Sequence, residues 1–323
     1  MAPRFPVIKT VSFPDQQLLD AVGPLPDGLT ACVWDFSADP LGVPLQELDV
    51  AILPYMADKG SWREELRRAA GLTLVQSQST GVDGVSEAAR PGVAVASAAG
   101  VHAASTAELA VGLMLASLRG IDVAARDQLT GTWRQQRRTS LADRRVLLVG
   151  VGGIGAEIAK RLAPFEVKLT RVGSTAREDD GGHVHEAADL LRLAPDHDIL
   201  VVITPLTEAT RQLVDAPLLA ALPDGALVVN VARGAVVDSA ALTSEVVSGR
   251  LHAAVDVFDP EPIPADHPIW RAPNALITPH LGGDTSAFPS RIVALLQRQL
   301  AAFAVGELPE NLVVPGPYRA DRE

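Results

Sequence analysis

A single cysteine, Cys32, occurs in 323 residues, so the chain can build neither an intrachain disulfide framework nor a cysteine metal cluster. No long lysine or arginine run interrupts a net charge of −11. A nucleic acid or an anionic membrane would have to approach against the overall field, which argues against both as partners. A small anion remains admissible, because a few local arginines suffice to bind it. No apolar run reaches the length of a membrane span. The opening MAPRFPVIKTVSFPDQQ is broken by prolines and polar residues and lacks the apolar core of a signal peptide. The expectation is a cytoplasmic protein. His183 and His185 would point the same way on a strand, but no cluster of further ligands joins them, so no metal is expected.

What is present is globular. Hydrophobic residues make up 47% and charged residues 21%, and the length suggests two domains with a core each. Residues 6–97 alternate short apolar runs, at 7–11, 31–34, 50–53, 72–76 and 93–96, with helix-like stretches at 15–22 and 62–70. These runs read as buried parallel strands. Ser105-Thr106-Ala107-Glu108 then has the form of a capping box ahead of an apolar helix reaching Leu118. That helix has so little polar surface that burial between domains or subunits is expected.

Residues 144–162, RRVLLVGVGGIGAEIAKRL, organise the rest. An apolar strand, Val146 to Val149, runs into Gly150-Val151-Gly152-Gly153-Ile154-Gly155 and then into an amphipathic helix. Strand, glycine turn and helix in this order are the context that G-x-G-x-x-G requires. Gly150 permits the tight turn, Gly152 lets a pyrophosphate approach the backbone, and Gly155 lets the helix pack closely. The helix N-terminus supplies free N–H groups and a positive dipole end. Further strands are expected at 167–172, 199–204, 226–231, 253–257 and 275–278. Helices are expected at 154–163, 217–222 and 239–248, the last capped by Asp238. This order means a doubly wound parallel sheet. A final helix, 286–305, and the tail 311–314 are expected to return to the first unit. The expected organisation is a flavodoxin-like α/β substrate domain, residues 1–99 and 285–323, interrupted by a Rossmann-type dinucleotide-binding domain, residues 100–284.

Three segments place a polar residue just past a strand end: Arg233 after Asn230-Val231-Ala232, Glu261 after Asp256-Val257-Phe258-Asp259-Pro260, and His280 after Thr278-Pro279. The planar fork of an arginine holds a carboxylate through two hydrogen bonds. A histidine exchanges a proton with a hydroxyl or carbonyl oxygen, and a carboxylate on its other nitrogen fixes the tautomer and favours the protonated ring. Beside a nicotinamide, such a set interconverts a 2-oxo acid and a 2-hydroxy acid.

These segments resemble the D-isomer-specific 2-hydroxyacid dehydrogenase family, with similarity running from about Ser77 to His280 and into the terminal helix. The resemblance implies that Arg233 binds and polarises the substrate, Glu261 supports the histidine and His280 is the acid/base. It also implies that backbone N–H groups of Thr80 and Gly81, in Gln76-Ser77-Gln78-Ser79-Thr80-Gly81-Val82-Asp83, contact the acid. Asp256 resembles the residue that holds the nicotinamide carboxamide. Thr204, Pro205 and Thr210 resemble the loop beside the cofactor, with Val231, Ala232, Gly282 and Gly283 completing its site. Glyoxylate or hydroxypyruvate-like acids are the expected substrates and a homodimer the expected assembly. Two alternatives stay open: a nucleotide-sensing binding protein like the C-terminal binding protein corepressors, which share the triad, and an enzyme like phosphite dehydrogenase. Retention of Glu261 argues against the formate dehydrogenase branch, which has glutamine there.

NAD-preferring members carry an acidic residue at the end of the second strand for the ribose 2′-OH. Here that position is Gly173, and no carboxylate follows until Glu178. Arg171, Ser174 and Arg177 can instead supply donors to a 2′-phosphate, so NADP(H) is expected over NAD(H), with NAD possible. The family also has glycine where this chain has Glu166, which predicts a local change in the turn before that strand.

Overall fold

The computed structural model describes residues 6–56 and 61–316. Contacts divide the chain into two compact units, Met1–His102 with Ser286–Glu323, and Ala103–Thr285. The boundaries therefore fall three residues and one residue later than the sequence suggests.

The first unit begins β1 (Thr10–Phe13), α1 (Gln16–Val22), β2 (Thr30–Val33), β3 (Val50–Ile52), α2 (Ser61–Arg68), β4 (Leu74–Gln76), α3 (Val85–Ala88) and β5 (Ala94–Ala96). Asp15 caps α1 by accepting from the backbone N–H of Leu18. The second unit contains α4 (Ala103–Arg119), α5 (Ile121–Gln128), β6 (Arg145–Val149), α6 (Gly153–Leu162), β7 (Lys168–Gly173), β8 (Arg177–Asp179) and β9 (Gly182–Glu186). It continues α7 (Leu190–Leu193), β10 (Ile199–Val202), α8 (Ala216–Ala221), β11 (Leu227–Asn230), α9 (Ser239–Val247), β12 (His252–Val255) and β13 (Ala275–Ile277). The chain then returns to the first unit through α10 (Phe288–Val305) and β14 (Leu312–Val314).

In the first unit the sheet order is β14-β5-β4-β3-β1-β2, with only β14 antiparallel. The central strands β3, β4 and β5 bury both faces, as parallel strands under helices must. Val50 and Ile52 join the core cluster that includes Leu295, Leu296 and Phe303 of α10, while Ala51 and Leu53 face Trp62 and Leu66 on the other side. In the second unit the order is β13-β12-β11-β10-β6-β7-β9-β8, parallel except for β8. β6 lies between β10 and β7, where the strand order reverses, so the glycine turn opens at the topological switch point.

Several local expectations need correction. Ser105 does not cap α4, which starts two residues earlier. It is buried inside the helix, and its hydroxyl pairs with that of Thr285 at 2.8 Å. Ala107, Ala110, Leu113 and Met114 pack with Val146, Leu148 and Ile158 in the core of their own unit. The helix α5 and the hairpin β8–β9 carry no strong apolar period and so leave little trace in the sequence. At the turn before β7, Glu166 adopts a left-handed conformation (φ 58°), which explains why glycine suits this position.

Candidate active site

The glycine turn is built as its sequence requires. Gly150 has φ 114°, and a Cβ on it would lie 2.7 Å from the carbonyl carbon of Ile203. On Gly155 a Cβ would lie 2.0 Å from the Gly150 carbonyl oxygen, so only glycine lets the first turn of α6 pack there. Gly152 and Gly153 behave differently: a Cβ on either meets no atom within 4 Å. Both residues are exposed at the start of α6, with Ile154 half-buried behind them. The protein itself does not demand glycine at these two positions, whereas a pyrophosphate resting on the backbone would. These residues fit a dinucleotide.

At the end of β11, Asn230 is buried and braces the next turn. It donates through Nδ2 to the Arg233 carbonyl (3.1 Å) and accepts through Oδ1 from the Ala232 N–H (3.1 Å). Val231 and Ala232 are buried, and Arg233 is half-buried, donating through Nη1 to the Ala232 carbonyl at 2.7 Å. Gly234 presses against the next segment so closely that a Cβ would lie 2.0 Å from the Phe258 carbonyl. That close approach sets the arginine turn against the loop carrying Glu261.

Glu261 bridges two partners. Its Oε1 accepts from the Phe258 N–H at 3.0 Å, and its Oε2 lies 2.8 Å from His280 Nδ1. With Nδ1 engaged, Nε2 is the nitrogen left to face a substrate, and both side chains are 38% exposed, so the pair is reachable. His280 has φ 55°, an uncommon conformation for a residue with a side chain. Asp256 accounts for how it is held. Buried beneath the loop, its Oδ1 accepts from the Thr278 hydroxyl (2.6 Å) and the Leu281 N–H (2.8 Å), and its Oδ2 from the Gly282 N–H (2.9 Å). The Asp256 carbonyl also accepts from the His280 N–H at 2.8 Å. This residue therefore anchors the histidine loop, a role that its motif did not announce. Thr106 adds a further tie, donating to the Gly282 carbonyl at 3.1 Å, next to Gly283.

Around the glycine turn, the Thr204-Pro205 segment abuts Gly150, whose Cβ would lie 2.9 Å from the Thr204 nitrogen. Thr210 uses its hydroxyl to close that loop, donating to the Pro205 carbonyl (2.6 Å) and accepting from the Thr207 N–H (2.7 Å). At the end of β7 the three expected phosphate donors separate. Arg171 is engaged elsewhere: its Nη2 donates to Asp179 (2.7 Å) and to the Gly182 carbonyl (2.6 Å). The β8–β9 hairpin delivers that carboxylate, so Nη2 of Arg171 is taken up within its own sheet. Arg177 lies over Gly173 instead, where a Cβ would meet its Nη1 at 3.0 Å and Val151 of the glycine turn at 3.1 Å. Ser174 and Arg177 are both exposed.

In the first unit, the Ser77–Gly81 loop is held by backbone and side-chain bonds. The Ala98 N–H donates to the Ser79 carbonyl (2.9 Å) and Gln78 Nε2 to the Leu53 carbonyl (2.8 Å). The Thr80 hydroxyl is buried without a partner among the described residues, and Gly81 is half-buried beside it. His102 is buried, with Nε2 2.8 Å from the Gln78 carbonyl, and its ring stacks with Tyr55 and Phe288. His183 and His185 lie on β9 near Glu178 and Asp189 respectively. Among the described residues no group of three or more histidine, cysteine or acidic side chains could hold a metal ion. Among them, too, no helix is long and apolar enough to cross a membrane.

The family model for the D-isomer specific 2-hydroxyacid dehydrogenase NAD binding domain matches residues 111–282, more than half of the chain. The chain belongs to that family. It is 33% identical over 291 residues to a glyoxylate reductase of Thermofilum pendens, covering 87% of this chain and 85% of that protein. To a hydroxypyruvate reductase of Thermotoga maritima it is 35% identical over 229 residues, 68% of this chain and 74% of the other. A family member from Xanthobacter autotrophicus, solved with NADPH and MES, superposes with a TM-score of 0.81 at 29% identity, covering 96% of this chain and 98% of that one. The chain is thus an oxidoreductase with an NAD-binding domain, of the two-unit α/β architecture described above.

Proposed function

We propose that this dehydrogenase reduces small 2-oxo acids, of the glyoxylate and hydroxypyruvate kind, to D-2-hydroxy acids and prefers NADP(H) to NAD(H). The observation that carries the reading is the bonded Glu261–His280 pair, set with Arg233 in the same unit as the glycine turn. A solved NADPH-dependent glyoxylate/hydroxypyruvate reductase from Sinorhizobium meliloti, in complex with NADP and malonate, supports it at 27% identity and a TM-score of 0.78 over 96% of this chain and 98% of that one.

In this reading Gly150, Gly152, Gly153, Ile154 and Gly155 hold the pyrophosphate, and Ser174 and Arg177 hold the 2′-phosphate. Bound there, reduced nicotinamide supplies the hydride that reaches the keto carbon. Arg233 orients the substrate carboxylate, and Thr80 and Gly81 bind the acid through backbone N–H groups. His280 enters protonated, gives the Nε2 proton to the keto oxygen as negative charge develops there, and leaves neutral. Glu261 stabilises the protonated ring before transfer and holds Nε2 toward the oxygen. The protein acts as a cytoplasmic homodimer on a small acid, with neither nucleic acid nor membrane as partner.

The test is a panel of 2-oxo acids assayed by nicotinamide absorbance with NADPH and with NADH. Turnover of glyoxylate or hydroxypyruvate with a higher kcat/KM for NADPH is expected. Arg177→Ala should lower kcat/KM for NADPH about tenfold or more, the loss of a charge-assisted hydrogen bond of ~1.5–3 kcal/mol, while leaving NADH nearly unaffected. No turnover of any 2-oxo acid sinks the activity, and equal use of both cofactors sinks the preference.

A further inference from the structure

The Ala103–Thr285 unit carries a cavity at the opposite end of its sheet from the glycine turn. It measures about 310 Å³ and opens at the amino ends of β6, β10, β11 and β12. Its wall includes Arg137, Arg138, Thr139, Arg144, Asp198 and Asp224. Both carboxylates already pair with other arginines, although the charge of Arg144 also acts on Asp198. Asp198 is claimed by Arg145, from its backbone N–H (2.8 Å) and its guanidinium (2.9 Å), and Asp224 stands 3.6 Å from Arg250. Among the described residues, Arg137, Arg138 and Arg144 make no ion pair.

Three arginines gathered with no ion pair of their own are unusual on a chain with a net charge of −11, because the two carboxylates, each shared with another arginine, offset their mutual repulsion only in part. Two details show that the fold accommodates them. The Arg138 side chain packs over Gly120, where a Cβ would lie 2.6 Å from its Nε. Arg144 Nε is buried and has no hydrogen-bond partner among the described residues, an arrangement that is unfavourable unless an acceptor meets it. Guanidinium forks match phosphate oxygens in two-bond geometry, and the Thr139 hydroxyl can add a donor. The volume is at the lower end of the ~300–1,000 Å³ usual for small-molecule sites and exceeds what a bare phosphate would fill.

We propose that this cavity binds a small phosphorylated metabolite, its phosphate held by Arg137, Arg138 and Arg144. The site is separate from the dinucleotide site and does not depend on which 2-oxo acid is reduced. Occupation ties the 137–139 segment to the strand ends and stabilises the folded unit by mass action.

Pyrophosphate is the probe, titrated calorimetrically into the whole protein under saturating nicotinamide cofactor, so that the glycine turn is already filled. One saturable site is expected. The double variant R137Q/R138Q, both positions exposed, should weaken it at least tenfold while the cofactor KM and the mass by light scattering stay unchanged. Arg137→Glu alone should weaken it further than Arg137→Gln, and it serves if the double variant does not fold. Absence of binding at millimolar pyrophosphate, or equal affinity in wild type and variants, overturns the proposal. So does a variant whose assembly state changes while wild type binds no pyrophosphate, since the cavity would then be a subunit contact.

Discussion

At the residue scale the site turns on which atom of each side chain is already engaged. His280 has Nδ1 on Glu261, so its chemistry is confined to Nε2. His280→Ala should lower kcat by ~10²–10⁴, the usual worth of a positioned acid, while cofactor affinity by fluorescence titration changes little. Unchanged turnover would falsify the assignment. Glu261→Gln keeps the shape but withdraws the negative charge beside His280 Nδ1, so kcat should fall while cofactor affinity holds; unchanged kcat means that the carboxylate does not support the ring. The same reasoning separates the arginines of the second strand. Arg171 and Arg177 look equivalent in sequence, and the bonds of Arg171 to the Asp179 carboxylate and the Gly182 carbonyl distinguish them.

At the element scale, buried strands make the sheet and a few polar ties fix its register. Asp198, just before β10, accepts from both the backbone and the guanidinium of Arg145 at the start of β6. The Arg145 hydrogen bond, assisted by its charge and working against burial, holds this carboxyl below its ordinary range. A carboxylate with a depressed folded value contributes stability above its unfolded value and loses it as pH falls through the folded one. Wild type should therefore melt above Asp198→Asn at pH 7, and the gap in Tm should close as pH falls below about 4, near the unfolded carboxyl value. A gap independent of pH would mean that the tie is not ionic. Register of this kind is invisible to periodicity, which places β6 and β10 but not their pairing.

On the scale of the whole molecule, α5 and the segment after it carry exposed apolar side chains on an otherwise charged surface. Leu129 is 87% and Trp133 95% exposed. A tryptophan this exposed costs apolar surface that a second copy could cover, in accord with the proposed homodimer. Trp133→Ser should lower the mass seen by light scattering toward that of a monomer, with little change in secondary structure by circular dichroism; an unchanged dimer excludes this segment from the interface.

The sequence by itself determined what depends on near neighbours. Strand, glycine turn and helix at residues 146–162 were legible because each strand is a short apolar run and each glycine answers a local steric demand. Arg233, Glu261 and His280 were legible as residues just past strand ends, and the return of the chain through α10 followed from its apolar pattern. Only the tertiary structure decided which groups meet across long separations. It paired Ser105 with Thr285 instead of letting it cap a helix, set Asp256 beneath the histidine loop, drew Arg171 to Asp179 and laid Arg177 over Gly173. Short-range patterns set by sterics and burial are written along the chain. Hydrogen bonds between distant polar groups depend on register and on weakly patterned hairpins such as β8–β9, and those are settled only when the sheet assembles.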